Sequence, residues 1–98
     1  MTEKIGLQVN GVSIVLDHFV LSFLEHTVIG MLGSLKDTGL VSNLSLSING
    51  DKVEIFLNGK AVKTNQFASK IVKSTVFGMV SPLKGVTDIT NLKIEIAR

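Results

Sequence analysis

The sequence predicts an α+β fold: one antiparallel sheet with two helices packed on one face, built from tandem ββαβ units. Three observations lead there. Residues 3–50 and 51–98 align without a gap at an offset of 48, and thirteen aligned pairs are identical. Each unit opens with two alternating apolar runs joined by Asn-Gly. Each then has a helical stretch behind an Asp or Asn, and closes on a third alternating run.

The first element is read from Ile5, Leu7 and Val9, which alternate with Lys4, Gly6 and Gln8 in the period of a half-buried strand. Asn10-Gly11 follows, then Val12, Ile14 and Leu16 alternate again. Two such runs joined by Asn-Gly form the strongest short-range hairpin signal, because a type I′ turn needs positive φ at both central residues. The second unit repeats it with Val53, Ile55, Leu57, then Asn58-Gly59 and Val62. Asp17 and Asn65 stand where an N-cap belongs, each with an oxygen able to accept a free N–H of the first helical turn. Helical spacing follows in Phe19, Phe23, Leu24, Met31 and Leu35, and in Phe67, Ile71, Val72, Met79 and Leu83. Pro82 lacks an N–H, so the second helix is expected to end or kink near Val80. Leu44, Leu46 and Ile48, and Leu92, Ile94 and Ile96, close the units as strands.

A further Asn-Gly, Asn49-Gly50, joins the last strand of the first unit to the first strand of the second. Strands 43–48, 52–57 and 60–64 therefore form a meander across the boundary. Pseudo-symmetry then pairs strand 91–96 with strand 3–9. The expected sheet is intertwined, with order 2-1-6-3-4-5, in a single domain, 1–98, made of repeats 3–50 and 51–98. Two copies favour a closed pseudo-twofold domain over a solenoid, which needs three or more. A ferredoxin-like βαββαβ sandwich is the competing topology, and would demote one arm of each hairpin to loop.

Matched residues also suggest how the helices pack. Thr27, Gly30, Thr75 and Gly78 recur at equivalent positions. Glycine inside a helix costs about 1 kcal/mol relative to alanine. The expectation is close helix–helix approach, with Thr27 and Gly30 facing Thr75 and Gly78, and severe destabilisation by Gly30→Leu. A glycine-lined ligand pocket is the alternative.

Differences between the units point to a surface. Val12, Val15, Leu16 and Leu21 correspond to Lys60, Lys63, Thr64 and Ser69. Positions solvated in one unit are thus apolar in the other, which predicts a surface patch on the first half. Residues 3–50 carry a net charge of −2 and residues 51–98 one of +4. A chain 45% hydrophobic and only 18% charged, at 98 residues, has difficulty hiding its apolar side chains. The expected partner is a second copy or another protein, engaged through strand 12–16 and helix 17–36.

Signs of chemistry are few. His18, Glu25 and His26 are the one constellation of varied titratable groups, but metal ligands on one helix prefer spacings of three or four, and the second unit has Gln66, Lys73 and Ser74 there. The run Gly78 to Gly85 lacks the Walker spacing and closes a helix, the wrong end of the dipole for an anion. No cysteine is present, which excludes disulfides and thiolate metal sites and fits a cytoplasmic protein. No signal-peptide pattern opens the chain. The apolar stretch from Phe19 to Leu35 is interrupted by Glu25, His26, Gly30 and Gly33, and its counterpart carries Lys70 and Lys73, which argues against a membrane span. Catalytic residues, cofactor and metal are therefore not expected. Lys60, Lys63, Lys70 and Lys73 could form a basic face for nucleic acid or another polyanion, but such sites add arginines and stacking aromatics, and here the one arginine is the terminal Arg98. Phe56 is the one phenylalanine expected to face outward.

The pattern Asn58-Gly59-Lys60, Asn65-x-Phe67, Ser74-Thr75-Val76-x-Gly78-Met79-Val80-Ser81-x-Leu83-Lys84-Gly85 resembles a small archaeal ββαβ module, sometimes appended to molybdopterin-guanine dinucleotide biosynthesis proteins. The resemblance covers residues 51–96 and, more faintly, the first unit. Gln66 stands where that family has proline. The resemblance implies an accessory or dimerising module in cofactor metabolism.

Overall fold

The computed structural model describes residues 4–35, 42–83, 86 and 88–97. Its elements are β1 (Lys4–Val9), β2 (Val12–Ser13), α1 (His18–Leu35), β3 (Asn43–Asn49), β4 (Lys52–Leu57), β5 (Lys60–Val62), α2 (Gln66–Val80) and β6 (Asn91–Ala97). The six strands form one open antiparallel sheet in the order β2-β1-β6-β3-β4-β5. This is the order expected from the sequence, and the ferredoxin-like alternative falls because both arms of each hairpin are paired.

Local chemistry sets this topology. Asn10 and Gly11 have φ of 53° and 80°, and Asn58 and Gly59 have 51° and 82°, the two consecutive positive values of a type I′ turn. The loop between β3 and β4 differs from expectation. Asn49 stays on the ladder opposite Lys52 and Asn91, so the loop is Gly50-Asp51, with only Gly50 at positive φ, 57°. A glycine in the first loop position is the type II′ pattern. The arms following the type I′ turns are shorter than the alternation suggests. β2 spans two residues instead of 12–16 and β5 three instead of 60–64, with one more bond from Ile14 N to Leu7 O. The chain must leave the sheet there to reach the helix caps.

Both caps form as expected. Asp17 Oδ1 accepts from Val20 N at 2.9 Å, and Asn65 Oδ1 accepts from Ala68 N at 2.7 Å. α2 ends at Val80; Ser81 N and Oγ both donate to Phe77 O, and Pro82 follows. α1 ends at Leu35 among the described residues, so Lys36 lies outside them.

The core sits on one face of the sheet. Directly opposed residues share a face, and the register lines up Leu7, Ile94, Leu46 and Ile55 across four strands, each no more than 2% exposed. Flanking rows are Val9, Leu92, Ile48 and Val53, and Ile5, Ile96, Leu44 and Leu57. Leu24, Val28 and Leu32 of α1 and Val72, Val76 and Val80 of α2 belong to the same cluster, so both helices cover this face. The opposite face is open. It presents Gly6, Glu95, Ser45, Phe56 and Ala61 in one row and Gln8, Lys93, Ser47 and Glu54 in the next.

Candidate interaction surface

The helices carry the chain's most unusual surface. Their buried stripes run four residues apart, through Leu24, Val28 and Leu32 and through Ala68, Val72, Val76 and Val80. The phenylalanines chosen by helical spacing face the other way. Phe19 is 74% exposed, Phe23 49% and Phe67 71%, and the Phe19 and Phe23 rings stack with centroids 6.1 Å apart. Phe56 on the open sheet face is exposed too, so it is not the only outward phenylalanine; Phe77 alone of the five is half-buried. The reason is that both helices have apolar side chains on two sides, Phe19 and Phe23 against Leu24, Val28 and Leu32 in α1, and Phe67 and Ile71 against Val72, Val76 and Val80 in α2. Periodicity alone cannot then select the side that packs, and such a helix is normally covered all round.

The four residues expected on the patch differ in exposure. Val12 and Val15 are exposed, at 62% and 97%. Leu16 and Leu21 are half-buried, and Leu16 packs against the core. Their counterparts are not fully solvated either: Thr64 Oγ1 and Ser69 Oγ lie 2.7 Å apart in a hydrogen bond. The side-chain volume that reaches inward as leucine in the first half is hydroxyl-paired in the second.

The glycine expectation is corrected. Gly30 and Gly78 are both exposed, and a Cβ built on either would meet nothing within 4 Å. They do not sit in the approach between α1 and α2, and Thr27 and Thr75 are half-buried beside them. The outward phase of the helices explains this: positions 26, 30 and 33, like 74 and 78, fall on the side away from the sheet. The severe loss expected of Gly30→Leu therefore has no basis within one chain. Each glycine costs its helix about 1 kcal/mol against alanine, and room for a Cβ is present at both.

Lys60, Lys63 and Lys70 are exposed, and Lys73 is half-buried. Lys70 and Lys73 share one side of α2, whereas Lys60 begins β5 and Lys63 lies on the link to α2. Lys73 Nζ donates to Asp51 Oδ1 at 2.8 Å and lies 5.5 Å from the centre of the Phe77 ring. These groups line a depression of about 850 Å³ with Gln66, Lys70 and Ser74. The Lys73 hydrogen bond and charge, helped by the Lys70 charge, hold the Asp51 carboxyl below its usual range. The Lys73→Met variant should raise the Asp51 titration midpoint, measured by side-chain carbon NMR. A lowered folded-state pKa contributes stability that is present above the unfolded value and lost as pH falls through the folded one. The window is thus acidic, and full exposure of Asp51 keeps the contribution small.

The remaining features lack convergence. A groove of about 680 Å³ on the open sheet face is lined by Gly6, Ser45, Phe56, Glu95 and Ala97. Its neighbourhood mixes signs, with Lys93 and Glu95 paired at 3.7 Å. His18 and His26 are exposed while Glu25 is buried, and His26 Nδ1 lies 3.3 Å from Ser22 Oγ. Among the described residues no group of three or more His, Asp or Glu is placed to hold a metal. Gly78–Val80 close α2, while Lys84 and Gly85 lie outside the described residues. No helix among the described residues is long and apolar enough to cross a membrane.

Sequence reasoning missed two features. One is the outward aromatics of the helices, whose signal was the apolarity of two sides of each helix. The other is the bonding of the turn asparagines. Asn10 Oδ1 accepts from Thr90 N, Thr90 Oγ1 and Asn91 N at 2.8, 2.8 and 3.1 Å, and Asn58 Oδ1 accepts from Ser42 N and Asn43 N at 2.7 and 3.0 Å. No protein-family model, curated protein or solved structure matches the chain.

Proposed function

We propose that this protein is a small interaction module that acts by associating through the apolar surface of its first half, without chemistry of its own. The observation that carries the reading is the exposure of Val12, Val15, Phe19 and Phe23, which run from β2 through the link into the start of α1. Scattered exposed apolar residues are ordinary, but several together on a small chain mark an interaction site. An accessory role in cofactor metabolism, implied by the resemblance of residues 51–96, belongs to the same proposal.

The tandem duplication is part of this reading. It is supported by β1 and β4, β3 and β6, and the starts of both helices lying 48 residues apart. The turn dihedrals, the Asx caps and the asparagine bonds to the starts of β3 and β6 repeat at that spacing. The β3–β6 ladder is also centred on Leu46 opposite Ile94, an equivalent pair. A pseudo-twofold axis would pass there.

The duplication supplies its own test variant. Val12→Lys with Val15→Lys copies Lys60 and Lys63, which are exposed in the second half. The double variant should keep the melting temperature while weakening association at least about tenfold, the effect of losing ~1.4 kcal/mol of contact. Sedimentation velocity reads the association. Unchanged association would remove the patch from the interface. Strong, salt-sensitive retention on heparin or DNA would instead favour a polyanion-binding basic face.

A further inference from the structure

The interaction reading leaves open which face docks and on what. The side of the helical layer that points away from the sheet has three properties. First, it is almost uncharged: α1 presents Phe19, Phe23, His26, Gly30 and Gly33 there, and Lys70 is the one formal charge that α2 presents among its exposed positions. Second, it holds both protrusions and recesses. Phe19 and Phe67 project at 74% and 71% exposure, while open space lies over Gly30 and Gly78. Third, its size is sufficient. Helices of 18 and 15 residues are about 27 and 22 Å long and together about 20 Å wide. That footprint is roughly 500 Å² per copy, so two copies bury on the order of 1,000 Å², about the minimum for a specific interface.

We infer that a second copy of this chain docks on this face. The dimer is two-fold, with aromatic side chains of one copy seated over the helical glycines of the other, the helices inside and the open sheet faces outside. A self-complementary face is what an isologous contact requires, since each copy must supply both knob and hole. The absence of formal charge on the outward positions of α1 suits burial against a like surface and gives an anionic ligand little to hold. The open space over Gly30 and Gly78 lets a partner's ring approach the helix backbone. The inference rests on the interaction reading above but places the contact on both helices, whereas that reading needs only the first half.

The test is sedimentation velocity from micromolar to near-millimolar concentration, with thermal melting in parallel. Wild type should show a concentration-dependent monomer–dimer equilibrium. Phe19→Glu with Phe67→Glu should abolish it. Gly30→Ala with Gly78→Ala should give opposite signs in the two measurements: higher melting of the dilute monomer, from better helix propensity, and dimer affinity lowered at least about tenfold. That pair keeps the inference testable if the charged variant fails to fold. A wild type that stays monomeric at the highest concentration overturns the dimer, as does a monomer that floats with phosphatidylcholine–phosphatidylglycerol vesicles. Sensitivity to Val12→Lys with Val15→Lys, but not to the Phe67 and Gly78 changes, overturns this geometry and leaves the interaction reading standing.

Discussion

Ile94→Ala should cost about 3–4 kcal/mol, the range for emptying a fully buried aliphatic position. Ile94 is 0% exposed and lies between Leu7 and Leu46 in the register, under both helices. Its side chain fills the middle of the only core cluster among the described residues, so neighbours can collapse into the space only by moving helix against sheet. A chain of this length holds about 5–15 kcal/mol in total. A loss of that size should lower the melting temperature by roughly 15–25 °C. Urea unfolding should show a lower midpoint at an unchanged slope. Glu95→Ala, one residue away on the open face, should change stability by less than about 0.5 kcal/mol. Leu46→Ala probes the proposed equivalence of the halves, since Leu46 faces Ile94 across the β3–β6 ladder and is equally enclosed. A cost within about 1 kcal/mol of that for Ile94→Ala is expected.

The sheet was legible because its information is local and redundant. Alternation in six short runs and Asn-Gly between the outer pairs leave few ways to connect the strands, and the 48-residue offset selected among them. Asn49-Gly50 joins β3 to β4 as expected, with the loop shifted by one residue. The same dipeptide opens a type I′ turn at Asn10 and Asn58, which flank edge hairpins, but not at Asn49, which is paired on both sides within the sheet. An interior strand takes its register from two neighbours, and turn preference yields to it. The helix phase was not legible for a different reason. In α2, Phe67 and Ile71, both exposed, compete with the valines at 72, 76 and 80. In α1, Phe19 and Phe23 compete with Leu24, Val28 and Leu32, and only the shape of the sheet decides. The same ambiguity concealed the candidate interface, because the centre of an interface between copies is depleted in charge and enriched in aromatic residues, as a core is.

The turn asparagines offer the second large effect, one that connects fold to surface. Asn10→Ala should destabilise by about 2–3 kcal/mol. Part comes from placing alanine at φ 53°, a left-handed conformation costing ~1–2 kcal/mol for residues with a Cβ. The rest comes from losing the bonds of Oδ1 to Thr90 and Asn91 and of Nδ2 to Asp88 O. Each would be worth ~1 kcal/mol if buried and less here, where water can replace it. Asn10→Gly separates the two terms: it tolerates the dihedral and keeps only the hydrogen-bond loss, so its cost should be about 1 kcal/mol smaller. Faster amide exchange at Thr90 and Asn91 in both variants is the local signature, and unchanged exchange there would show that the asparagine does not hold the start of β6. Asn58→Ala should behave alike through Ser42 and Asn43. Three strand spacings, about 14 Å, separate β1 from β4, so the two costs should add in the double variant. Only the first adjoins the Val12 and Val15 surface of the interaction reading. Asn10 positions the turn that delivers Val12, and its side chain ties that turn to β6 some 80 residues away in sequence. Asn10→Gly should therefore weaken association as well as stability, while Asn58→Gly, at the turn that leads to Lys60, should cost stability alone.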